Sequence, residues 1–217
     1  MGNELNGTKL DLILAAGEIF ARDGLLGASI RTIAKKAGAN IAAINYHFGS
    51  KENLYKEVLR FIHKNLEEER TRVLEGYEKK VLTRKGFTEL LRKIIKSRFN
   101  IMFSEKYPRW YHKLLMRGLF DAYPAFLDLT KELFEPDFYV IQNLALLANP
   151  EMTEQDAELW VFSLYGRVVI YSFAQGPILK FMGKEKYPEE YIEAAARYIA
   201  GSAVNEIFMS RSEPGKE

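Results

Sequence analysis

The 217 residues contain no cysteine, which excludes disulfides, thiolate metal centres and cysteine nucleophiles. Histidine is nearly as scarce. His47, His63 and His112 lie in three separate segments with no pair at helical ligand spacing, so no metal site is expected. No run of eighteen apolar residues occurs, so no membrane-spanning helix and no membrane partner are predicted. The start, Met1-Gly2-Asn3-Glu4-Leu5-Asn6, lacks a basic segment followed by an apolar one; no secretory leader is expected, and a cytoplasmic location is. Nucleophile elbow, P-loop and dinucleotide fingerprint are all missing. Glu67, Glu68 and Glu69 sit in a charged helical stretch and read as a solvated face rather than as paired acids. The chain is therefore not read as an enzyme, and no catalytic residue, cofactor or metal is assigned.

What is present is helical pattern and local charge. Hydrophobic content of 47% with 28% charged residues describes a soluble globular protein, long enough for one large domain or two small ones. The most informative stretch runs from Ser29 to Lys51. Ser29 suits an N-cap, and Ile30, Ile33, Ala34 and Ala37 follow at i, i+3, i+4 and i+7. Gly38 supplies a turn, because a left-handed residue without a Cβ meets no clash. Asn40 then caps a second short helix whose inner side carries Ile44 and Phe48. Two helices joined through a glycine turn form a helix-turn-helix, whose second helix enters the DNA major groove. The ionised residues of this stretch are Arg31, Lys35, Lys36 and Lys51, with no Asp or Glu, although the whole chain carries 31 basic against 29 acidic residues. A basic patch beside such a motif is the footprint of phosphate contacts.

The pattern Gly24-x4-Ser29-x-Arg31-x-Ile33-Ala34-x2-Ala37-Gly38, followed by Tyr46-His47-Phe48-x-Ser50-Lys51-Glu52-x-Leu54, resembles the DNA-binding domain of the TetR family of regulators. The variant Ala39-Asn40-Ile41-Ala42-Ala43-Ile44-Asn45-Tyr46-His47-Phe48-Gly49-Ser50-Lys51 resembles its CecR-like branch. The resemblance implies an all-α chain: a three-helix helix-turn-helix domain over residues 1–50, then a larger helical effector-binding and dimerisation domain over 51–217. It also implies a ligand-responsive repressor that binds a palindromic double-stranded operator as a homodimer. Ser29, Arg31, Tyr46, His47 and Lys51 would hold phosphates, while Asn40, Ile41, Ala42, Ala43 and Asn45 would face the bases. Ile41 either meets a base methyl or tucks under the first helix. Asn45 stands where many family members carry a phosphate-binding tyrosine; that role would pass to Tyr46 or His47, leaving Asn45 for a base edge or the backbone. Two other readings of the same helical pattern are a small-molecule carrier and a protein-interaction adaptor, both without an operator.

Elsewhere the pattern predicts a first helix capped by Thr8, with Leu10, Ile13, Leu14, Gly17 and Phe20 inward and Gly24 as its stop. A fourth helix, capped by Ser50, is expected from Lys51 to about Gly76, apolar at its start and charged further on. Later helices are expected over Phe87–Ser104, Pro108–Tyr123, Ala125–Phe134, Phe138–Leu147, Thr153–Gln175 and Pro188–Met209, with Gly176-Pro177 as a helix end. Eleven of the 41 residues from Phe99 to Tyr139 are aromatic, about twice the 13% of the whole chain. Packed core accounts for such enrichment, and so does a pocket. As a pocket for a hydrophobic or aromatic effector, its candidates are Tyr107, Trp110, His112, Arg117 and Phe120, joined from a later helix by Tyr165 and Arg167. Each arginine needs an anionic partner, from a ligand or from the chain itself. In Thr153–Gln175 apolar residues surround the whole helix, and the last helix offers Ala194, Ala195, Ala196, Ala200, Gly201, Ser202 and Ala203 for close approach. These two helices are the expected dimer interface.

Overall fold

The computed structural model describes residues 7–73 and 83–209, and every regular element among them is an α-helix. The first four helices are α1 (Gly7–Gly27), α2 (Ile30–Lys36), α3 (Ile41–Phe48) and α4 (Lys51–Arg72). They are followed by α5 (Arg84–Phe103), α6 (Arg109–Asp121), α7 (Pro124–Leu127) and α8 (Thr130–Ala148), then α9 (Glu154–Phe173), α10 (Gln175–Met182) and α11 (Glu189–Met209). The chain forms two compact units, one of Met1–Glu67 with Glu105–Phe134, the other of Glu68–Ser104 with Glu135–Glu217.

In the first unit, α1 packs against α2, α3 and α6. That coverage explains why its buried face is wider than one stripe: Leu12, Ile13, Ala16, Ile19 and Phe20 are all buried. Ile33, Ala34, Ile44 and Phe48 supply the underside of the helix-turn-helix, and Leu54, Tyr55, Val58, Leu59 and Ile62 the face of α4. Each such large side chain, fully buried, contributes about 1.5–3 kcal/mol. Gly24 does break α1, with φ 76 and ψ 174, but a further helical turn follows it to Gly27. Thr8 lies inside α1 rather than ahead of it, so it is not the cap. The expected end of α4 near Gly76 lies outside the described residues.

The second unit is built on α5, α9 and α11, with Phe87, Leu90, Leu91, Ile94, Phe99, Trp160, Val161, Leu164, Ala196, Ala200 and Val204 in one core. Thr83 caps α5 three residues earlier than expected, accepting from Gly86 N at 3.1 Å. Thr153 caps α9 through Asp156 N, as its spacing predicts, and its hydroxyl donates to Asp156 Oδ2 at 2.6 Å. Two expectations need correction. Residues 130–148 form one helix with Pro136 inside it, where the sequence predicts a break. Gly176-Pro177 lies in the first turn of α10 rather than at the end of α9, which stops at Phe173, because a proline in a first turn leaves no bond unmade. A third correction concerns α11, whose small residues do not all face outward. Helix α9 is buried on one side only, through Ala157, Trp160, Val161, Leu164 and Val168, whereas Leu159, Phe162, Ile170 and Phe173 are exposed. On α11, Ala195, Ala196, Ala200 and Ala203 face their own core, where Trp160 Nε1 donates to the Ala203 carbonyl at 3.0 Å.

Candidate nucleic-acid interface

The recognition helix α3 is set by its caps. Asn40 Oδ1 accepts from Ala42 N at 3.0 Å, so this side chain starts the helix. Its carbonyl oxygen is committed there, and any DNA contact from Asn40 falls to its amide NH2. At the other end Gly49 adopts φ 75 and donates to the Asn45 carbonyl. Asn53, from the first turn of α4, adds Nδ2 to the Phe48 carbonyl at 3.0 Å, while its N–H donates to Ser50 Oγ at 3.1 Å. Sequence reasoning missed Asn53 as a positioning residue; the Ser50-x-x-Asn53 spacing was the available signal.

Between these caps, Ile44 and Phe48 point inward. At 100° per residue, Ile41, Asn45, Ala42 and Tyr46 follow one another around an arc of about 140°. All four are exposed, Tyr46 at 85% and Ile41 at 39%. Ile41 therefore sits at the edge between core and open face, and Ala43 and His47 lie half-buried on the other flank. Small and amide side chains on the open arc would allow a backbone to approach bases closely, with Asn45 able to pair donor and acceptor on an adenine edge.

The flanking cations differ in what already holds them. Arg31 and Lys35 are exposed on α2. Lys36 is paired with Glu18 at 2.7 Å. Lys51 Nζ donates to the carbonyls of Ala28 at 3.2 Å and Leu26 at 3.5 Å, so it braces the corner between α1 and α2 and retains one further N–H for a phosphate. Ser29 occupies the N-cap of α2 with an exposed side chain that makes no capping bond. The arrangement is a basic rim around an open, acid-free helix face.

The residues expected to meet an effector are divided between the units. Tyr107, Trp110, His112, Arg117 and Phe120 belong to the first, Tyr165 and Arg167 to the second. The aromatic enrichment divides likewise: Tyr111 rests edge-on against Phe61 and Trp110, while Phe99 meets Phe103 and Tyr171. Both arginines have carboxylates on their own chain. Arg117 Nε donates to Asp121 Oδ2 at 2.9 Å, and Arg167 Nη2 to Glu206 Oε1 at 2.5 Å and Ser163 Oγ at 3.2 Å. His112 is half-buried, and burial pushes its imidazole down to about 4. Phe120 is 75% exposed beside exposed Leu119. Among the described residues no group of three or more His, Asp or Glu is placed to hold a metal, and no helix is long and apolar enough to cross a membrane.

Residues 12–58 match the family described as bacterial regulatory proteins of the tetR family, and residues 87–206 match the C-terminal domain of the HTH-type transcriptional dual regulator CecR. A curated relative, the dual regulator CecR of Shigella flexneri, is 50% identical over 54 residues, which span 25% of this chain and 24% of that protein. A transcriptional regulator from Rhodococcus superposes with a TM-score of 0.65 at 22% identity, covering 91% of this chain and 96% of that one. AibR, solved in complex with isovaleryl coenzyme A and operator DNA, superposes at 0.63 with 16% identity, covering 94% and 98%.

Proposed function

The chain belongs to the TetR family of bacterial transcriptional regulators and binds DNA, and on that premise we propose that it is a ligand-responsive repressor which grips a palindromic operator as a homodimer. The observation that carries the reading is the open, acid-free arc of α3 between capped ends, rimmed by Arg31, Lys35 and Lys51. Ser29, Arg31, Tyr46, His47 and Lys51 hold phosphates in this proposal, and Asn40, Ile41, Ala42, Ala43 and Asn45 face bases. The DNA-reading role falls to residues 1–50 and the effector and dimer roles to 51–217, in the cytoplasm where operator DNA lies.

Support for a dimer comes from the outer faces of α9 and α11. Leu159, Phe162, Ile170, Phe173 and Tyr198 are exposed there. Gly166 and Gly201 sit in mid-helix with open space where a Cβ would stand. A mid-helix glycine costs about 1 kcal/mol against alanine, and nothing in the protomer requires either one. A symmetry mate approaching closely would. Two recognition helices in such a dimer would meet successive major grooves. For the effector we keep a hydrophobic or aromatic small molecule, argued from the aromatic enrichment of residues 99–139, with Tyr107, Trp110, His112, Arg117 and Phe120, or Tyr165 and Arg167, as the side chains available to it; the similar AibR was solved with isovaleryl coenzyme A.

A gel-shift titration against DNA from upstream of its own gene tests the reading. Three or four phosphate contacts from each of two heads give a log–log salt slope of roughly −5 to −7. A shift that ignores salt would remove the basic rim from the account, and no shift at all would favour a carrier or an adaptor.

A further inference from the structure

Helix α6 carries two bulky side chains seven residues apart, Trp110 and Arg117, and α1 carries two glycines at the same spacing, Gly17 and Gly24. The two pairs meet. A Cβ at Gly17 would stand 2.2 Å from the Trp110 ring, and one at Gly24 would stand 2.8 Å from Arg117 Nε. Each side chain thus fills space that only glycine leaves. Seven residues are nearly two turns, so the register of α1 against α6 is fixed at two points about 10 Å apart.

The second meeting point bears on DNA binding. At Gly24 the chain takes φ 76, ψ 174, a conformation that other residues rarely adopt, and α1 bends there. Just before the bend the Arg22 carbonyl accepts from Arg117 Nη1 at 3.2 Å, while Asp121 holds Arg117 Nε from one turn further along α6. Just after it the Leu26 and Ala28 carbonyls accept from Lys51, and Ser29 then starts α2. The corner is held by a cation on each side, one from α6 and one from α4. Apolar packing beneath α2 and α3 is non-directional and resists small rotations weakly. Hydrogen bonds to fixed carbonyls are directional.

We propose that Arg117 is a positioning residue for DNA binding: oriented by Asp121 and kept in register by Trp110, it fixes from outside the motif the corner from which α2 and the recognition helix depart. The inference rests on the DNA binding that the family provides, not on the dimer or the effector. It gives Arg117 a task other than lining a ligand cavity.

The test uses the full-length protein, a duplex selected by the wild type from a random-sequence library, and a scrambled duplex of equal length. Arg117→Ala should weaken binding to the selected duplex about tenfold, the scale of one charge-assisted hydrogen bond, and Asp121→Asn about threefold. Arg117→Lys should recover part of the loss. Affinity for the scrambled duplex should change less than about twofold, because the phosphate-holding charges remain. Unchanged affinity for the selected duplex in both Arg117→Ala and Asp121→Asn, with helical circular dichroism retained, overturns the proposal. An equal loss on both duplexes that tracks a lowered Tm overturns it too, since that is what a merely structural contact would give. Should Arg117→Ala not fold, the milder Asp121→Asn decides by the ratio of the two affinities.

Discussion

Single residues in this chain act mainly through what surrounds them. His112 shows it most simply. Burial drives its imidazole down to about 4 from an ordinary value near 6.5. The unfolded chain therefore takes up this proton near pH 6.5 and the folded chain only near pH 4. Between those values the unfolded state binds more protons, so the stability owed to a neutral His112 is complete above pH 6.5 and is lost as pH falls towards 4. His112→Gln should remove that share. Urea midpoints at pH 7 and 4.5 should show wild type losing on the order of 1–3 kcal/mol more than the variant across this range. Parallel losses would mean that His112 is solvated in the native protein. The two arginines follow the same logic. Sequence reasoning demanded an anion for Arg117 and Arg167, and the chain supplies Asp121 and Glu206. Asp121 is one turn away and could have been named; Glu206 is 39 residues off and could not.

At the level of elements, what was legible was what is local. Asn40, Ser50 and Thr153 each accept a bond from a backbone N–H two or three residues later, and such caps are written into adjacent residues. The stripe of Ile33, Ala34, Ile44 and Phe48 was legible for the same reason. Long-range devices were not: Lys51 reaches carbonyls 23 and 25 residues back, and Trp110 finds Gly17 across 93 positions. Helix α8 shows packing overriding a local breaker. Pro136 deprives the Glu132 carbonyl of its helical donor, yet Leu133 before it and Ile141, Leu144 and Ala145 after it are buried, and the proline itself is exposed, where water can reach that carbonyl. Pro136→Ala should restore the bond and raise stability by about 1–3 kcal/mol, read as a higher urea midpoint. A lower midpoint would show that the helix needs the proline's geometry.

For the whole molecule, the dimer proposal turns on surface that one protomer leaves uncovered. Leu159, Phe162 and Phe173 on α9, with Tyr198 on α11, form an exposed apolar set beside two open glycines. Arginine at Ala203 would strike the protomer's own core, so Gly201→Arg is the sharper substitution: its Cβ meets open space. Light scattering at micromolar concentration should give twice 25.0 kDa for wild type and 25.0 kDa for a folded Gly201→Arg. A wild type of single mass would end the proposal. The division of the chain into units has its own consequence for descent. The first unit is assembled from two stretches that Glu68–Ser104 separates in the sequence. A single crossover after α3 or α4 would hand the head to a stranger's α6, and Gly17 and Gly24 would face side chains never fitted to their notches. Heads and bodies are then not freely exchangeable parts, and lineages of such regulators should inherit the two together.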